Sequence, residues 1–399
     1  MSTPPPPSNP SGQVQLPLGF RAHVGNIGIK DDSDDVMIAV SESPCVSSAV
    51  FTRSRFAGPS VTLSRANAAN HDLQAVVVVS KNANVATGEQ GLSNAKELAA
   101  LAASAVESAG VGLRGERILV ASTGVIGRQY PMDRVRGYFA NVLAFDQTDA
   151  LALATAMMTT DTHAKVAHAQ VGEARIVGIA KGVGMIEPDM ATMLTFVLTD
   201  ARVAPRDLDD AFRRVVNRTF NSLSVDTDTS TSDTAAVLAN GLAGPVDPME
   251  FEDALFDVCL NLTRQLAADG EGATKLLSVT ISGARDDSQA KRVAKSVLNS
   301  PLVKTAVHGA DPNWGRVAMA IGKCHDDTDI DPDRVTIGFG GVEVYPTDSG
   351  DDGLRRLEEY LAGDEVEIQV DLGIADGSWT VYGCDLSDGY VRINADYTT

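Results

Sequence analysis

The strongest constraint on the fold of this 399-residue chain is the alternation of short apolar runs with helix-like segments. Residues 73–81, LQAVVVVSK, predict a fully apolar strand, and residues 93–110 predict a capped helix that ends at a glycine. Residues 117–122, RILVAS, predict another strand. Strands that alternate with helices are typical of α/β proteins. The sequence therefore predicts an α/β fold.

The same alternation continues towards the C-terminus. Strands are predicted at residues 175–182, 193–201 and 275–284, and helices at residues 207–220, 248–270 and 287–300. Residues 334–346 predict a hairpin with Gly340 and Gly341 as its two-residue turn, because paired glycines accept the positive φ angles that such turns need. Two further strands follow, which predicts a late antiparallel group.

Composition excludes several classes of function. The 44% hydrophobic content can fill a large core, whereas 53 acidic against 33 basic residues leave a charge of −20 that repels nucleic acid. Apolar runs are shorter than the ~20 residues of a membrane span, and the proline-rich start lacks the pattern of a secretion signal. We expect no membrane partner, and a flexible tail over residues 1–19.

The spacing of the cysteines does not suggest disulfide bonds, and the spacing of the histidines does not suggest a metal site. Because the cysteines are far apart and lack CxxC spacing, we expect reduced, mostly buried thiols and a cytoplasmic protein; they are Cys45, Cys259, Cys324 and Cys384. The six histidines offer no HxxxH or HxH spacing, so no metal is expected. Walker, GxSxG and GxGxxG motifs are missing from the sequence, and no cofactor is predicted.

Polar, Gly-containing loops next to strands are the candidates for a site. They occupy residues 81–88, 121–132, 157–165, 180–194, 224–234, 268–275, 309–316 and 390–399. Thr123 and Gly124 fit either a simple turn or a loop whose N–H groups stabilise an oxyanion. Lys181 fits a solvated strand end or a carboxylate ligand, and Glu271 fits a helix terminus or a ligand contact. Residues 224–234 favour a structural role.

Thr192 lies in the strand pattern of ATMLTFVL. It alternates with Leu194, Phe196 and Leu198, so it belongs to their inward face. Threonine is common in strands, and on this pattern alone a core threonine is the simpler interpretation.

Taken together, these loops resemble a known family. The segments KGVGMIEPDMATMLTFVLTDA, ASTGVIG, TTDT, DGEGATK, DPNWGR and the terminal NADYTT are similar to motifs of the glutamate N-acetyltransferases, also called ornithine acetyltransferases. The resemblance covers residues 20–399 and follows the family's motif order. It is strongest to members found in clavulanic-acid-type antibiotic gene clusters.

The resemblance implies that the chain cuts itself between Ala191 and Thr192, giving an α chain that ends at residue 191, with 20–191 as its folded part, and a β chain of residues 192–399. Thr192 Oγ would attack the Ala191 carbonyl and convert the peptide bond into an ester, which water would hydrolyse to leave Thr192 with a free α-amine. The new α-amine, whose pKa is near 8 when unperturbed, would then serve as the base for the Thr192 hydroxyl.

The resemblance also implies a ping-pong transfer of acetyl from N-acetyl-L-ornithine to L-glutamate on Thr192, in arginine biosynthesis or an antibiotic-cluster counterpart. Thr123 and Gly124 match the family's oxyanion hole. The substrate-binding positions are Thr159, which a one-residue shift would exchange for Thr160, together with Lys181, Thr192, Glu271, Asn394 and Thr399. From charge, Lys181 suits a substrate carboxylate and Glu271 a substrate amine.

The sequence departs from the family in one loop. Residues 80–88 read SKNANVATG, where many members have a cysteine at the position of Val85 or Ala86. Use of acetyl-CoA as a second donor, which only some members show, therefore stays open. An N-terminal-threonine amidohydrolase or aminopeptidase is the alternative activity, and an uncut, inactive binding protein is a third.

The architecture implied by the family is a sheet sandwich flanked by helices, with a second, smaller α/β domain. The implied assembly is an α2β2 heterotetramer.

Overall fold

The computed structural model describes residues 12–141, 143–187, 193–347 and 350–396. In these ranges the chain forms three β-sheets, two of which face each other. Helices cover the outer faces of that pair, and a smaller unit of sheet and helices follows along the chain. The predicted sandwich with a second α/β unit is confirmed.

The first sheet has the strand order β1-β2-β4-β5. Its first two pairs are antiparallel and the last is parallel. The strands are β1 (Phe20–Gly25), β2 (Val36–Ser41), β4 (Ala75–Val79) and β5 (Ile118–Ser122). Strand β4 is buried along its whole length, as its unbroken apolar run predicted.

The second sheet, here called the central sheet, has the order β3-β9-β8-β7-β6. Only its β8–β9 pair is parallel. The strands are β3 (Val46–Phe51), β6 (Lys165–Val171), β7 (Ala174–Lys181), β8 (Leu194–Arg202) and β9 (Thr234–Pro245). The predicted strands at 175–182 and 193–201 are confirmed within one residue.

The sandwich core explains the alternation in β8. Leu194, Phe196 and Leu198 pack between the two sheets, whereas Val197 points to the helices on the other face. Both faces of the strand are therefore buried, and the inward face assigned to Thr192 is the interior of the sandwich. Thr192 itself and Ala191 lie outside the described residues.

Within the described ranges, six α-helices accompany the sandwich. The outer face of the first sheet is covered by α2 and α3, and that of the central sheet by α5 and α6. Helix α1 packs beside β5, and α4 contributes to the core between the sheets. The helices are α1 (Pro59–Ala68), α2 (Gly88–Ser108), α3 (Met132–Phe139), α4 (Ala150–Met157), α5 (Pro205–Arg218) and α6 (Pro248–Ala268).

The third sheet has the order β12-β11-β13-β10-β14, in which only β10 and β13 are parallel. Its strands are β10 (Leu276–Ala284), β11 (Thr336–Phe339), β12 (Val342–Tyr345), β13 (Glu365–Asp371) and β14 (Gly377–Cys384). One face packs against helices α7 (Asp287–Leu298), α8 (Pro301–His308), α9 (Trp314–Gly322) and α10 (Gly350–Leu361). Helix α11 (Asp388–Asp396) follows.

The predicted hairpin turn is also confirmed. Gly340 and Gly341 join β11 to β12 with φ angles of 55° and 81°. Positive φ at both central residues is the conformation that a tight two-residue turn requires. The late group is nonetheless not wholly antiparallel, because β13 lies parallel to β10.

Part of the segment predicted as a flexible tail, residues 1–19, packs against the fold. Val14 and Leu16 are buried in the sandwich core, and Leu16 N donates to Thr148 O at 2.8 Å. Two apolar side chains in a polar stretch are enough to fix this part of the chain against the fold. The prediction of a flexible tail is therefore wrong for Val14 and Leu16, and residues 1–11 lie outside the described ranges.

The cysteines are free thiols, and Cys45, Cys259 and Cys384 are buried. Burial raises the pKa of Cys45 to about 12 and that of Cys384 to about 11. Their predicted burial is confirmed. In the described part of the chain no helix is long and apolar enough to cross a bilayer.

Candidate active site

A cavity of about 340 Å³ lies at one edge of the sandwich, where β5 and β7 end and β8 and β9 begin. Met193 and Leu194 form part of its wall, so the described chain resumes in the cavity directly after Thr192. Among the sequence-predicted site residues, those lining the cavity are Thr123, Gly124, Thr159, Lys181, Glu271 and Asn394. Thr399, like Thr192 and Ala191, lies outside the described residues.

The loop after β5 presents Thr123 and Gly124 to the cavity. Thr123 N donates to Val79 O at 3.1 Å, which fixes the turn to the end of β4. Gly124 has a φ of 119°, and within the described residues its N–H makes no hydrogen bond. Thr123 and Gly124 both line the cavity, and a threonine hydroxyl with a backbone N–H is the donor pair that an oxyanion needs.

Lys181, the last residue of β7, is buried at the cavity wall. Its ammonium donates to Thr159 Oγ1 at 2.9 Å and to Thr123 Oγ1 at 3.1 Å. Burial lowers the pKa of Lys181, and the nearby Asp161 carboxylate opposes that change. The side chain thus brings a positive charge to the hydroxyls of two predicted site residues.

The Asp161 carboxylate lies near the Lys181 ammonium and does not line the cavity. Its Oδ1 accepts from Lys165 Nζ at 2.8 Å and from Gly182 N at 2.7 Å, and its Oδ2 lies 4.0 Å from Lys181 Nζ. Burial on its own raises the pKa of Asp161, but the charges of Lys181 and Lys165 and the hydrogen bonds outweigh it and lower the pKa to about 2. Asp161 is therefore a stable anion at neutral pH.

Glu271 and Asn394 meet on the opposite side of the cavity. Asn394 Nδ2, from α11, donates to Glu271 Oε2 at 2.9 Å, and Thr160 Oγ1 donates to Glu271 Oε1 at 3.4 Å. Glu271 N donates to Val183 O at 2.8 Å, which ties its loop to the segment after β7. Asn394 thus brings the C-terminal helix α11 to the wall of the cavity.

Sequence reasoning missed the buried ionic network behind the cavity. Lys165 Nζ bridges Asp161 and Asp269, at 2.8 Å and 2.6 Å, and the side chains of all three residues are at most 3% exposed. Asp161 and Lys165 are four residues apart, but Asp269 is 104 residues from Lys165 along the chain. The only local signal is a lysine at the start of a strand, which is normally solvated.

A larger cavity of about 810 Å³ lies elsewhere, on the polar face of the third sheet. Its wall includes the Arg264–Glu365 ion pair and Trp379 but none of the site residues predicted from sequence. Within the described ranges, no group of three or more His, Cys, Asp or Glu side chains is arranged to hold a metal ion. The smaller cavity at the sandwich edge is therefore the candidate active site.

The family follows from sequence comparison. The model of the ArgJ family matches residues 21–399. The chain belongs to the ArgJ family.

Curated ArgJ-family relatives align with nearly the whole chain. Glutamate N-acetyltransferase Oat2 of Streptomyces clavuligerus is 58% identical over 397 residues, covering 96% of this chain and 98% of the relative. The arginine biosynthesis bifunctional protein ArgJ of Rhodococcoides fascians is 55% identical over 386 residues, covering 96% and 94%. The crystal structure of the Bacillus halodurans ArgJ protein is 41% identical, covers 51% of this chain and 98% of that one, and has a TM-score of 0.47.

Proposed function

We propose that this ArgJ-family chain is a glutamate N-acetyltransferase that moves acetyl from N-acetyl-L-ornithine to L-glutamate and serves arginine biosynthesis. Relatives named for glutamate acetyl transfer and for arginine biosynthesis, at 58% and 55% identity, support this activity. The observation that carries the site assignment is the convergence of six predicted residues on one cavity, with Met193 in its wall.

The nucleophile in this proposal is Thr192, freed by cleavage of the Ala191–Thr192 bond. Thr192 Oγ adds to the Ala191 carbonyl, the C–N bond breaks, and an ester forms with a free α-amine on Thr192. Water then hydrolyses the ester and leaves a carboxylate on Ala191. The products are residues 1–191 and 192–399.

Acetyl transfer then proceeds in two halves. Thr192 Oγ, which gives its proton to the Thr192 α-amine, attacks the acetyl carbonyl of N-acetyl-L-ornithine. The C–N bond breaks, and ornithine leaves with the proton that the α-ammonium returns. The amine of L-glutamate next attacks the acetyl ester and loses a proton to the α-amine. The bond between Thr192 Oγ and the acetyl carbon then breaks, and the α-ammonium returns the proton to Thr192 Oγ.

Each tetrahedral intermediate carries a negatively charged oxygen. We assign the stabilisation of this oxyanion to Thr123 and Gly124. The support is that the Gly124 N–H is unused within the described residues and that the Thr123 hydroxyl faces the same cavity. Donors that are fixed before the reaction stabilise the charge without reorganisation, and loss of one costs on the order of 100-fold or more in kcat.

Opposite charges at the two sides of the cavity fit an amino-acid substrate. Lys181 is assigned to the carboxylate, since Thr123 and Thr159 use two of its three ammonium protons, and among the described residues no hydrogen bond uses the third. Glu271, held by Asn394, is assigned to a substrate amine. Thr399 is the remaining proposed contact.

The assembly and the cellular place belong to the same proposal. We take residues 1–191, with 20–191 as the part expected to fold, and residues 192–399 as the α and β chains of an α2β2 heterotetramer in the cytoplasm. Light scattering of the purified protein measures the assembly directly, and a mass of one α and one β chain would contradict it.

Incubation of the purified protein with N-acetyl-L-ornithine labelled in the acetyl group and with L-glutamate tests the activity. We expect labelled N-acetyl-L-glutamate in an amount equal to the ornithine released. Labelled acetate without N-acetyl-L-glutamate would instead assign the hydrolase alternative. A parallel reaction with acetyl-CoA as the donor measures the second activity that remains open.

Denaturing electrophoresis tests the nucleophile. We expect two fragments from the native chain and one uncut chain from Thr192→Ala. The matched variant Thr192→Ser keeps a hydroxyl and is expected to cut. Cleavage that persists in Thr192→Ala would refute the assignment of Thr192.

A further inference from the structure

The ionic network behind the cavity consists of buried charged side chains that contact one another. Asp269 is the residue after the last turn of α6, where a negative charge is unfavourable because it faces the negative end of the helix dipole. Its side chain is nevertheless buried and bonded to Lys165. Burying charged groups is costly unless they are paired, and Lys165 provides the pairing for both carboxylates of the network.

Charge within the network is balanced. Asp161 and Asp269 carry two negative charges, and Lys165 and Lys181 carry two positive ones. Lys165 contacts both carboxylates but balances only one negative charge, so the Lys181 ammonium, 4.0 Å from Asp161 Oδ2, supplies the second positive charge. Removing any one member leaves an uncompensated charge beside the cavity.

Asp161 also fixes the backbone on both sides of Lys181. Its Oδ1 accepts from Gly182 N at 2.7 Å, and its Oδ2 accepts from Thr159 N at 3.2 Å. The end of β7 and the loop after α4 are thus joined through one carboxylate. The Lys181 side chain lies between these two fixed segments and donates to both Thr159 and Thr123.

The Lys181 contact decides where the Thr123 hydroxyl proton points. Lys181 has only donors, so Thr123 Oγ1 accepts in this bond, and the threonine proton must be directed elsewhere. Among the described residues, the Thr123 hydroxyl has no acceptor for that proton, and it lines the cavity. An adjacent ammonium also polarises the hydroxyl, which makes it a stronger donor.

We propose that Asp161 and Lys165 are positioning residues that hold the Lys181 ammonium against Thr123 Oγ1 and thereby direct the Thr123 hydroxyl proton to the oxyanion of the reaction. The inference rests on the proposed acetyl transfer. It gives Lys181 a second task besides binding a carboxylate, and it assigns catalytic consequence to two residues that do not line the cavity.

A double-mutant cycle between Asp161 and Thr123 tests the inference. We expect Asp161→Asn to lower kcat by about 10- to 100-fold, less than or equal to the loss of a whole oxyanion donor. In the Thr123→Ala background the same change should lower kcat by less than about 3-fold, because residues that act as a unit are non-additive. KM for N-acetyl-L-ornithine should change much less than kcat.

Three readouts separate positioning from a structural role. The kcat is expressed per active site, counted from the ornithine released in the first turnover, so that uncut or unfolded protein does not contribute. An equal kcat loss in both backgrounds would overturn the proposal. An Asp161→Asn protein in which only KM or only the melting temperature changes would also overturn the proposal.

Control variants keep the test decisive. Asp210→Asn removes an exposed carboxylate of α5, whose ion pair with Arg206 is 3.8 Å long, and should leave kcat unchanged. If Asp161→Asn does not fold, the charge-balanced pair Asp161→Asn with Lys165→Met replaces it and must show the same non-additivity with Thr123→Ala. A wild-type protein that makes no N-acetyl-L-glutamate would refute the proposed function instead, before the cycle is measured.

Discussion

At the scale of single residues, position 124 accepts only glycine for two separate reasons. Its φ of 119° lies where side chains are disfavoured. A methyl group there would also lie 2.3 Å from the carbonyl carbon of Lys81, which is backbone and cannot move aside. The proposed N–H donor thus depends on a close approach of two loops.

We therefore expect Gly124→Ala to lower kcat by about 100-fold or more, because the displaced loop misaligns the N–H of the proposed oxyanion hole. Gly127→Ala is the matched control, since Gly127 has a φ of 83° but open space around it. It should cost about 1 kcal/mol of stability and leave kcat nearly unchanged. Steady-state kinetics and urea unfolding compare the two, and equal kcat values would contradict the role of the close approach.

The charge on Lys181 predicts that kcat falls at alkaline pH. Burial lowers its pKa below the ordinary 10.5; Asp161, Asp233 and Glu271 act against this, whereas Lys165 adds to it. We expect kcat to fall as pH rises through this lowered pKa, and the limb to move to lower pH in Asp161→Asn, which loses one opposing charge. A limb that stays in place or moves to higher pH would contradict this.

Unfolding does not explain such a limb. A lysine whose pKa is lower in the folded state destabilises the fold while it is protonated, and this cost disappears as pH rises from the folded pKa towards 10.5. The Lys181 contribution to the free energy of unfolding therefore increases over the range in which kcat falls. Circular dichroism across the same range separates the two effects.

At the scale of elements, the loop after α6 and helix α11 form one side of the site. Gly272, with a φ of 71°, lies directly under the N-terminal part of α11, and a methyl group there would be 2.2 Å from Tyr390 N. Ser387 Oγ donates to Gly272 O at 2.5 Å across the same contact. The loop and the helix thus fix each other, and with them Glu271 and Asn394.

Gly272→Ala should push α11 away and break the Asn394–Glu271 hydrogen bond. We expect KM for N-acetyl-L-ornithine to rise by about 10-fold, because a hydrogen bond to a charged group contributes roughly 1.5 kcal/mol or more. Gly172→Ala, in the β6–β7 turn with a φ of 55° and free space, is the control and should leave KM unchanged. An unchanged KM in folded Gly272→Ala would show that α11 does not position Glu271.

Elements with strong local patterns were predictable and the others were not. The apolar run of β4, the Pro248 start of α6 and the Gly340–Gly341 turn were all confirmed, because each is decided within a few residues. Strand β9 was missed, since its small residues, TAAVLANGLAGP, resemble a loop and gain their burial only between β3 and β8. Residues 234–245 form a strand because they pair with β3 and β8, and no local sequence pattern encodes this pairing.

The site shows the same division. Its lining residues came from a family resemblance to short motifs, and the structure brings the six described ones together. The network of Asp161, Lys165 and Asp269 depends on the end of α6 lying beside the start of β6. The sequence contains these charges but gives no sign that they share one buried location.

At the scale of the whole molecule, the proposed cut falls inside a shared sheet. Strands β3, β6 and β7 precede residue 191, whereas β8 and β9 follow it, yet the order is β3-β9-β8-β7-β6. The β chain thus supplies the middle of the central sheet and the α chain both of its edges. Two continuous ladders, β7–β8 and β3–β9, join the fragments.

With the proposed cut, we expect this interleaving to change the reaction order of folding. Before the cut, the strands are connected through residues 182–193, and the sheet forms at a rate independent of protein concentration. After the cut, a denatured enzyme is two separate chains that must collide before the middle strands find their edges. We expect refolding of the cut enzyme from urea to slow on dilution and that of uncut Thr192→Ala to be unaffected. Refolding of the cut enzyme at the same rate on tenfold dilution would contradict this, whereas slowing would mean that cleavage turns a first-order folding reaction into a second-order one.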